Sequence, residues 1–195
     1  MSGADSSSGG APRRQRATPH SRREWGWHRL DTEWAQRIVN HCPLAPGDVV
    51  LDIGAGSGAL TAPLALAGMR VVAVELHDAR AAHLRRRFAA NAVTVVQVDV
   101  RRLRLPRRPF RVVASPPYSQ TTDVLRLLLS TDRLLSADLV LQRAAARRML
   151  AAPPSGAHAR RYRMDLGMAV PRTAFSPPPR VDSVVLRIRR RVGAR

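Results

Sequence analysis

From residue 48 onward the chain alternates short apolar runs with stretches in which apolar positions recur every three or four residues. Residues 48–53 (Asp-Val-Val-Leu-Asp-Ile) read as a buried strand that stops at a glycine-rich turn. A helix over 59–66 follows, then a second buried strand, Arg70–Glu75. Residues 78–90 form an Arg-rich amphipathic helix, with Asp78 placed to act as its N-cap. Strands are expected over 93–98 and 111–114, a helix over Thr121–Leu129, a strand over 137–141 and a helix over 143–150. Ala152-Pro-Pro-Ser-Gly156 breaks the pattern as a loop. Residues 164–170 and 184–188 read as two closing strands, joined by a connection through Pro177-Pro178-Pro179. Such an alternation predicts an α/β fold: a mostly parallel seven-stranded sheet with helices on both faces.

Residues 1–29 stand apart. They are poor in aliphatic side chains, begin Ser/Gly-rich, and carry Arg13, Arg14, Arg16, Arg22, Arg23 and Arg29. The segment lacks the apolar stretch of a secretory signal. It reads as a flexible basic arm ahead of a single domain over 30–195, although an organelle transit peptide or a tail without function has a similar composition. The 195 residues suit one globular domain with its own core.

Charge changes the picture most. The 33 basic residues, all Arg, face 14 acidic ones, for a net charge of +19. A GC-rich genome would explain Arg in place of Lys, but not the excess of bases over acids. A chain so charged seeks a polyanion, and nucleic acid is the commonest. The single cysteine, Cys42, excludes an internal disulfide or a cysteine-cluster metal site and fits a reducing cytoplasmic setting. The six His residues show no metal-ligand spacing, so no metal is expected. No apolar run approaches the roughly 20 residues that span a bilayer, so no membrane association is expected.

Four strand ends carry chemistry. The first is Asp52-Ile-Gly54-Ala-Gly56-Ser-Gly58, at a strand-to-helix turn. Glycines there let the backbone approach a ligand closely. Methyltransferases with a Rossmann-like sheet set such a turn against the amino-acid part of S-adenosylmethionine. The second is Glu75, about 20 residues on, whose carboxylate can accept from two ribose hydroxyls. The third is Asp99, placed to accept from an adenine amino group. Either acid could equally cap the helix that follows.

The fourth is Ser115-Pro116-Pro117-Tyr118. The exocyclic nitrogen of adenine or cytosine is a poor nucleophile, because its lone pair is delocalised into the ring. A side-chain oxygen and a rigid backbone carbonyl can accept its two N–H bonds and turn that lone pair toward a methyl donor. The prolines preorganise the acceptors, and Tyr118 can stack on an extruded base, a contact worth about 1–3 kcal/mol.

With these motifs together, the chain from Trp25 to Arg191 resembles the ribosomal RNA adenine-N6 methyltransferases. That family includes the Erm-type macrolide-resistance enzymes and the KsgA-type small-subunit dimethyltransferases. Leu141-Gln142-Arg143 resembles its Leu/Val-Gln-Lys/Arg motif. Ala174-Phe-Ser-Pro-Pro-Pro-Arg-Val-Asp-Ser-Val-Val-Leu186 is similar to its Phe-x-Pro-x-Pro-x-Val-Asp-Ser signature. The resemblance implies a Rossmann-like S-adenosylmethionine-dependent methyltransferase fold. It implies S-adenosylmethionine as cofactor, held by His28, Leu30, Asp52, Gly54, Gly56, Glu75, Asp99 and Ser115, and catalysis by Ser115, Pro116 and Tyr118. His28 and Leu30 come from Trp27-His28-Arg29-Leu30, where the family has Gln-Asn/His-Phe-Leu.

Two further departures matter. Ser115 stands where the family has Asn; Ser-Pro-Pro-Tyr is typical of cytosine-N4 DNA methyltransferases, so the loop stays chemically competent. The chain also stops just after the last strand, resembling the short, drug-resistance-type members without a C-terminal helical domain. RNA contact would then rest on the arm (Arg13, Arg14, Arg16, Arg22, Arg23) and on basic pairs, above all Arg107-Arg108 and Arg160-Arg161. Arg85-Arg86-Arg87, Arg101-Arg102 and Arg147-Arg148 are further candidates, and each could equally be a solvated face. The implied function is methylation of adenine N6 in ribosomal RNA, 23S RNA first, by a monomer that confers macrolide-type resistance. The alternatives are a small-subunit dimethyltransferase, a DNA amino-methyltransferase, and a non-catalytic RNA-binding protein on the same fold.

Overall fold

The computed structural model describes residues 28–191. In chain order the strands are β1 (Arg29–Leu30), β2 (Val49–Ile53), β3 (Arg70–Glu75), β4 (Val93–Gln97), β5 (Phe110–Ala114), β6 (Leu134–Gln142), β7 (Tyr162–Val170), β8 (Phe175–Ser176) and β9 (Ser183–Arg190). The α-helices are α1 (Thr32–Asn40), α2 (Thr61–Leu66), α3 (Asp78–Arg87), α4 (Thr121–Leu129) and α5 (Arg143–Ala151). Seven strands form one sheet in the order β4-β3-β2-β5-β6-β9-β7. The first five run parallel, and β9 lies antiparallel between β6 and β7.

The two-residue period of the strands splits the core into two layers. Val50, Val71, Val113, Val140 and Val185 join Ile38 of α1 and Leu64 of α2 on one face. Their neighbours Leu51, Val112, Leu139, Leu141 and Leu186 join Val124, Leu125 and Leu128 of α4 on the other. Helices therefore cover both faces, as the alternation predicts, and the near-continuous apolar runs of the strands follow from burial on both sides.

Several local features differ from the sequence expectation. His77, not Asp78, is the N-cap of α3; Asp78 is the helix's first residue, where its negative charge still faces the favourable end of the dipole. The glycine turn runs on through residue 60, so α2 starts at Thr61 rather than 59. Helix α1 and the β1–β8 pair have no counterpart in the sequence reading. Asp31 caps α1 by accepting the Glu33 amide at 2.8 Å. Strand β1 pairs antiparallel with β8, Leu30 opposite Phe175, which ties the start of the described chain to the Pro-rich connection before β9.

Candidate cofactor and base site

Chain order reverses between β2 and β5: β2 leads outward to β3 and β4, and β5 leads the other way to β6. Ligands of open α/β sheets bind at such a switch point, beyond the carboxyl ends of the strands. Both loops read as functional leave the sheet there. Gly54 and Ala55 donate to the Val74 carbonyl at 2.8 and 3.0 Å, which folds the turn back over β3. Gly54, Gly56 and Gly58 have φ of 78°, 58° and 87°, the left-handed region that disfavours side chains. A Cβ on Gly54 would stand 2.9 Å from Pro117 Cδ and 3.3 Å from Pro116 Cα. The glycine turn and the Ser-Pro-Pro-Tyr loop thus pack backbone to ring, with no room for a side chain between them.

Glu75 sits buried at the end of β3. One carboxylate oxygen accepts the Gly56 amide and the other the His77 amide, each at 2.8 Å. A carboxylate has about four lone-pair sites, so about two remain for a ligand's hydroxyls. Asp52 plays a different part. It is buried and accepts the Thr61 hydroxyl at 2.6 Å, tying β2 to the start of α2 beneath the turn. Burial, reinforced by the charge of Glu75 and opposed by the Thr61 hydrogen bond, raises its pKa to about 7. A carboxyl that takes up its proton more readily when folded stabilises the fold fully below its ordinary value of 3.8, and that contribution is lost as pH rises through about 7. Asp52→Asn keeps an acceptor for Thr61 and removes the titration. We expect it to flatten the fall in stability between pH 4 and 7, by roughly a few kcal/mol. Urea unfolding of both proteins across that range checks this, and equal slopes would refute it.

Asp99 caps a 3₁₀ turn (Val100–Arg102) and is engaged by Arg101, whose amide, Nε and Nη2 donate to it at 2.9, 3.0 and 2.6 Å. These hydrogen bonds hold its pKa down at about 2. It lines an open cavity of about 670 Å³ with Leu76, Gln97 and Val98, at the ends of β3 and β4. Leu76, which the sequence reading passed over, is 41% exposed there. An exposed apolar side chain directly after a strand-end Glu is the signal that could have marked it. The positive-φ glycine cradle, the spare acceptors of Glu75 and the apolar wall at Leu76 beside Asp99 fit the three parts of S-adenosylmethionine: amino acid, ribose and adenine.

Across the switch point, half-buried Tyr118 opens a 3₁₀ turn (Tyr118–Gln120). The Pro117 carbonyl accepts the Gln120 amide at 2.9 Å, which leaves the Pro116 carbonyl and the part-exposed Ser115 hydroxyl for a substrate. The His28 ring lies 6.0 Å from that of Tyr118, tilted by 34°. His28 Nδ1 donates to the Pro177 carbonyl at 2.7 Å, which fixes the ring beside Tyr118. Ser183 is fully buried at the start of β9, its hydroxyl beside the Tyr118 phenol, whose pKa burial raises. Leu30 is buried in the core layer that carries Phe175. Pro177 and Ser183 belong to the Phe175-to-Val185 signature, so that stretch reaches the base side of the site. Sequence reasoning gave neither residue a role.

The predicted RNA contacts are placed less uniformly. Arg13, Arg14, Arg16, Arg22 and Arg23 lie outside the described residues. Arg107 and Arg108 are exposed just before β5; just before β7, Arg160 is exposed and Arg161 half-buried. Both positions are at the edge of the sheet opposite the catalytic loop. Arg161 also pairs with Asp132 at 3.6 Å. Among the described residues no group of three His, Cys, Asp or Glu side chains is placed to hold a metal, and no helix is long and apolar enough to cross a membrane.

Comparison with known proteins agrees with this geometry. A family model described as ribosomal RNA adenine dimethylase matches residues 22–194. Ribosomal RNA small subunit methyltransferase A of Thermosynechococcus vestitus is 38% identical, over 87% of this chain and 69% of its own length. An rRNA adenine N-6-methyltransferase of Corynebacterium diphtheriae is 34% identical, over 88% of this chain and 69% of its own. Other relatives are spanned over as little as 55% of their length. Among solved structures, the 23S rRNA methyltransferase ErmE superposes with a TM-score of 0.75 at 28% identity, over 84% of this chain and 70% of that one.

Proposed function

Because this chain belongs to the ribosomal RNA adenine dimethylase family, whose members are S-adenosylmethionine-dependent rRNA adenine methyltransferases, we propose that it methylates N6 of an adenine in 23S ribosomal RNA and so confers resistance to macrolide-type antibiotics. The observation that carries the reading is the contact of Gly54 with Pro116 and Pro117. It holds the cofactor turn and the amino-group loop in one rigid unit, so donor and acceptor meet at a set distance. Well-oriented reactants account for much of a rate enhancement without further chemistry.

S-adenosylmethionine, when bound, supplies an electrophilic methyl group. Gly54 and Gly56 would admit its amino-acid part, Glu75 would accept from its ribose, and Leu76 with Asp99 would receive its adenine. Asp52 supports the turn from below through Thr61. On the other side Tyr118 stacks on the extruded base. Ser115 Oγ and the Pro116 carbonyl would accept the two amino N–H bonds and so hold the nitrogen with its lone pair free of the ring. His28, fixed by Pro177, closes the pocket over the Tyr118 ring. The basic N-terminal arm, Arg13 to Arg23, contributes phosphate contacts; the enzyme works as a monomer in the cytoplasm, where ribosomal RNA is found.

A small-subunit adenine is the second reading, favoured by the 38% identity to the small-subunit enzyme of Thermosynechococcus vestitus. Transfer of labelled methyl from S-adenosylmethionine to naked 23S RNA, naked 16S RNA and ribosomal particles separates the two, and primer extension then locates the adenine. Absence of label in every substrate would remove the enzymatic reading and leave an RNA-binding protein. In the same assay Ser115→Asn supplies the longer amide arm of the family. We expect transfer to rise by up to about 10-fold, because the longer arm tightens a hydrogen bond to the reacting group that is worth at most about 1–1.5 kcal/mol. A fall in rate on adenine RNA, with a gain on none, would mean that the loop is built around serine.

A further inference from the structure

The arginines of this chain divide into those that meet a carboxylate and those that do not. Six form ion pairs among the described residues, Arg101 with Asp99 and Arg189 with Asp138 among them. Arg143, Arg172 and Arg180 are exposed and form none among the described residues. None of the three belongs to the basic pairs singled out from the sequence, yet the fold gathers them on one rim. Arg143 follows Gln142, the last residue of β6; Arg172 comes two residues after Val170, the last of β7; Arg180 stands three residues ahead of Ser183, the first of β9. Gln142 and Val170 both register with Ser183, so the ends of β6 and β7 stand two strand spacings apart, roughly 10 Å.

Asp182 joins them. Its carbonyl accepts the Arg143 amide at 3.1 Å and its carboxylate accepts the Arg172 amide at 2.9 Å. Asp182 thus turns its carboxylate onto a backbone N–H and forms no ion pair with the three guanidinium groups among the described residues. Arg143 is moreover the first residue of α5, whose first turn carries no acidic residue and no side-chain cap. A cation there opposes the helix dipole, so the helix itself offers its charge no compensation. The rim adjoins the Tyr118 pocket, because Pro177, which holds His28 beside Tyr118, lies three residues before Arg180.

We infer that Arg143, Arg172 and Arg180 form the surface that grips the phosphodiester backbone of RNA around the base held at Tyr118. The assignment rests on the reading of the substrate as RNA. The cofactor takes the half of the crevice over β2, β3 and β4, so the polyanion is left the half over β6, β9 and β7. Guanidinium groups bind phosphate oxygens in pairs, a geometry that a planar fork satisfies better than an ammonium does. Arg107, Arg108 and Arg160 stand at the other edge, roughly 15–30 Å away along the strands.

The test is a fluorescence-anisotropy titration of the full chain with a fluorescein-labelled RNA stem–loop carrying an unpaired adenine, at several salt concentrations. Removing a phosphate contact lowers the slope of log affinity against log salt by about 1. The triple variant Arg143→Ala, Arg172→Ala, Arg180→Ala is expected to lose about 2–3 from that slope and to bind at least about 10-fold more weakly at moderate salt. The matched triple Arg107→Ala, Arg108→Ala, Arg160→Ala is expected to lose less. An unchanged slope in the first variant, or an equal or larger loss in the second, overturns the assignment. The rim variant with lysine at the same three positions keeps the charge and is expected to keep most of the slope. If it loses as much as the alanine variant while melting like the wild type, the grip is not electrostatic and the assignment fails. Methyl transfer to the same RNA is read separately: wild type that binds but transfers no label removes the enzymatic reading, while the slopes still decide the surface.

Discussion

Gly54→Ala loses methyl transfer by about 100-fold or more and melts several degrees below the wild type. Two effects add. The residue has φ +78°, where an L side chain costs about 1–3 kcal/mol. The new Cβ also meets Pro117 Cδ at 2.9 Å. That atom belongs to a ring fixed to the backbone and cannot swing away as the tip of a long side chain would, so the amino-group loop itself must move. A displacement on the order of 1 Å between reacting groups costs about 100-fold in rate. Gly47 provides the control. Its φ is +86°, but a Cβ there meets nothing within 4 Å. Gly47→Ala should carry the backbone cost alone, a fall of about 2–4 °C per kcal/mol for a chain of this size, with methyl transfer intact. Thermal melts and single-turnover transfer on both variants decide the matter. If Gly54→Ala transfers methyl as well as Gly47→Ala does, the contact between turn and loop plays no part in the reaction.

The second large effect belongs to Glu75. Its two oxygens hold the Gly56 and His77 amides at 2.8 Å each, inside the fold. Glu75→Ala therefore removes the ribose acceptors and also strips two backbone donors of their partner. Hydrogen bonds to a charged group contribute about 1.5–3 kcal/mol each, so losing two toward the ligand weakens S-adenosylmethionine binding by at least about 100-fold. Affinity for RNA should stay within about twofold, because Glu75 lies on the far side of the switch point from Tyr118. Glu75→Gln is not a mild change here. Its NH₂ would face one of the two amide N–H groups, donor against donor, and it should lose about half of the binding free energy lost by the alanine variant. Calorimetry with S-adenosylmethionine and anisotropy with RNA measure the two affinities independently. Unchanged cofactor affinity in Glu75→Ala would mean that the carboxylate only staples the glycine turn.

Much of this site was legible in the order of residues along the chain. The apolar runs of β2, β3, β4 and β5 stop at a glycine, a Glu, an Asp and a Ser-Pro, so each functional residue could be placed at a strand end from a two-residue period and a breaker. The role of one acid was not legible. Asp52 looks like a ligand carboxylate in one dimension. In the fold it accepts the Thr61 hydroxyl beneath the turn. A strand-end carboxylate serves whichever donor the packing brings within reach. The β1–β8 pair was invisible because two residues carry no periodicity, and the contact of His28 with Pro177 joins positions 149 residues apart.

By itself the sequence determined the seven strands of the sheet, four of the five α-helices among the described residues, the candidate residues at the strand ends and the polyanion-seeking charge. These follow from side-chain periodicity, turn residues and composition, all of which act locally or additively. The tertiary structure decided which strands are neighbours, and with that everything that depends on adjacency. It inserted β9 between β6 and β7, set Gly54 against Pro117, brought Ser183 and His28 to Tyr118, and gathered Arg143, Arg172 and Arg180 on the catalytic edge while leaving Arg107 and Arg160 at the other. The reason is physical. A strand's own pattern states how much of it must be buried, but several partners could bury it equally well. Only the packing of the whole core selects one order and thereby aligns the strand ends.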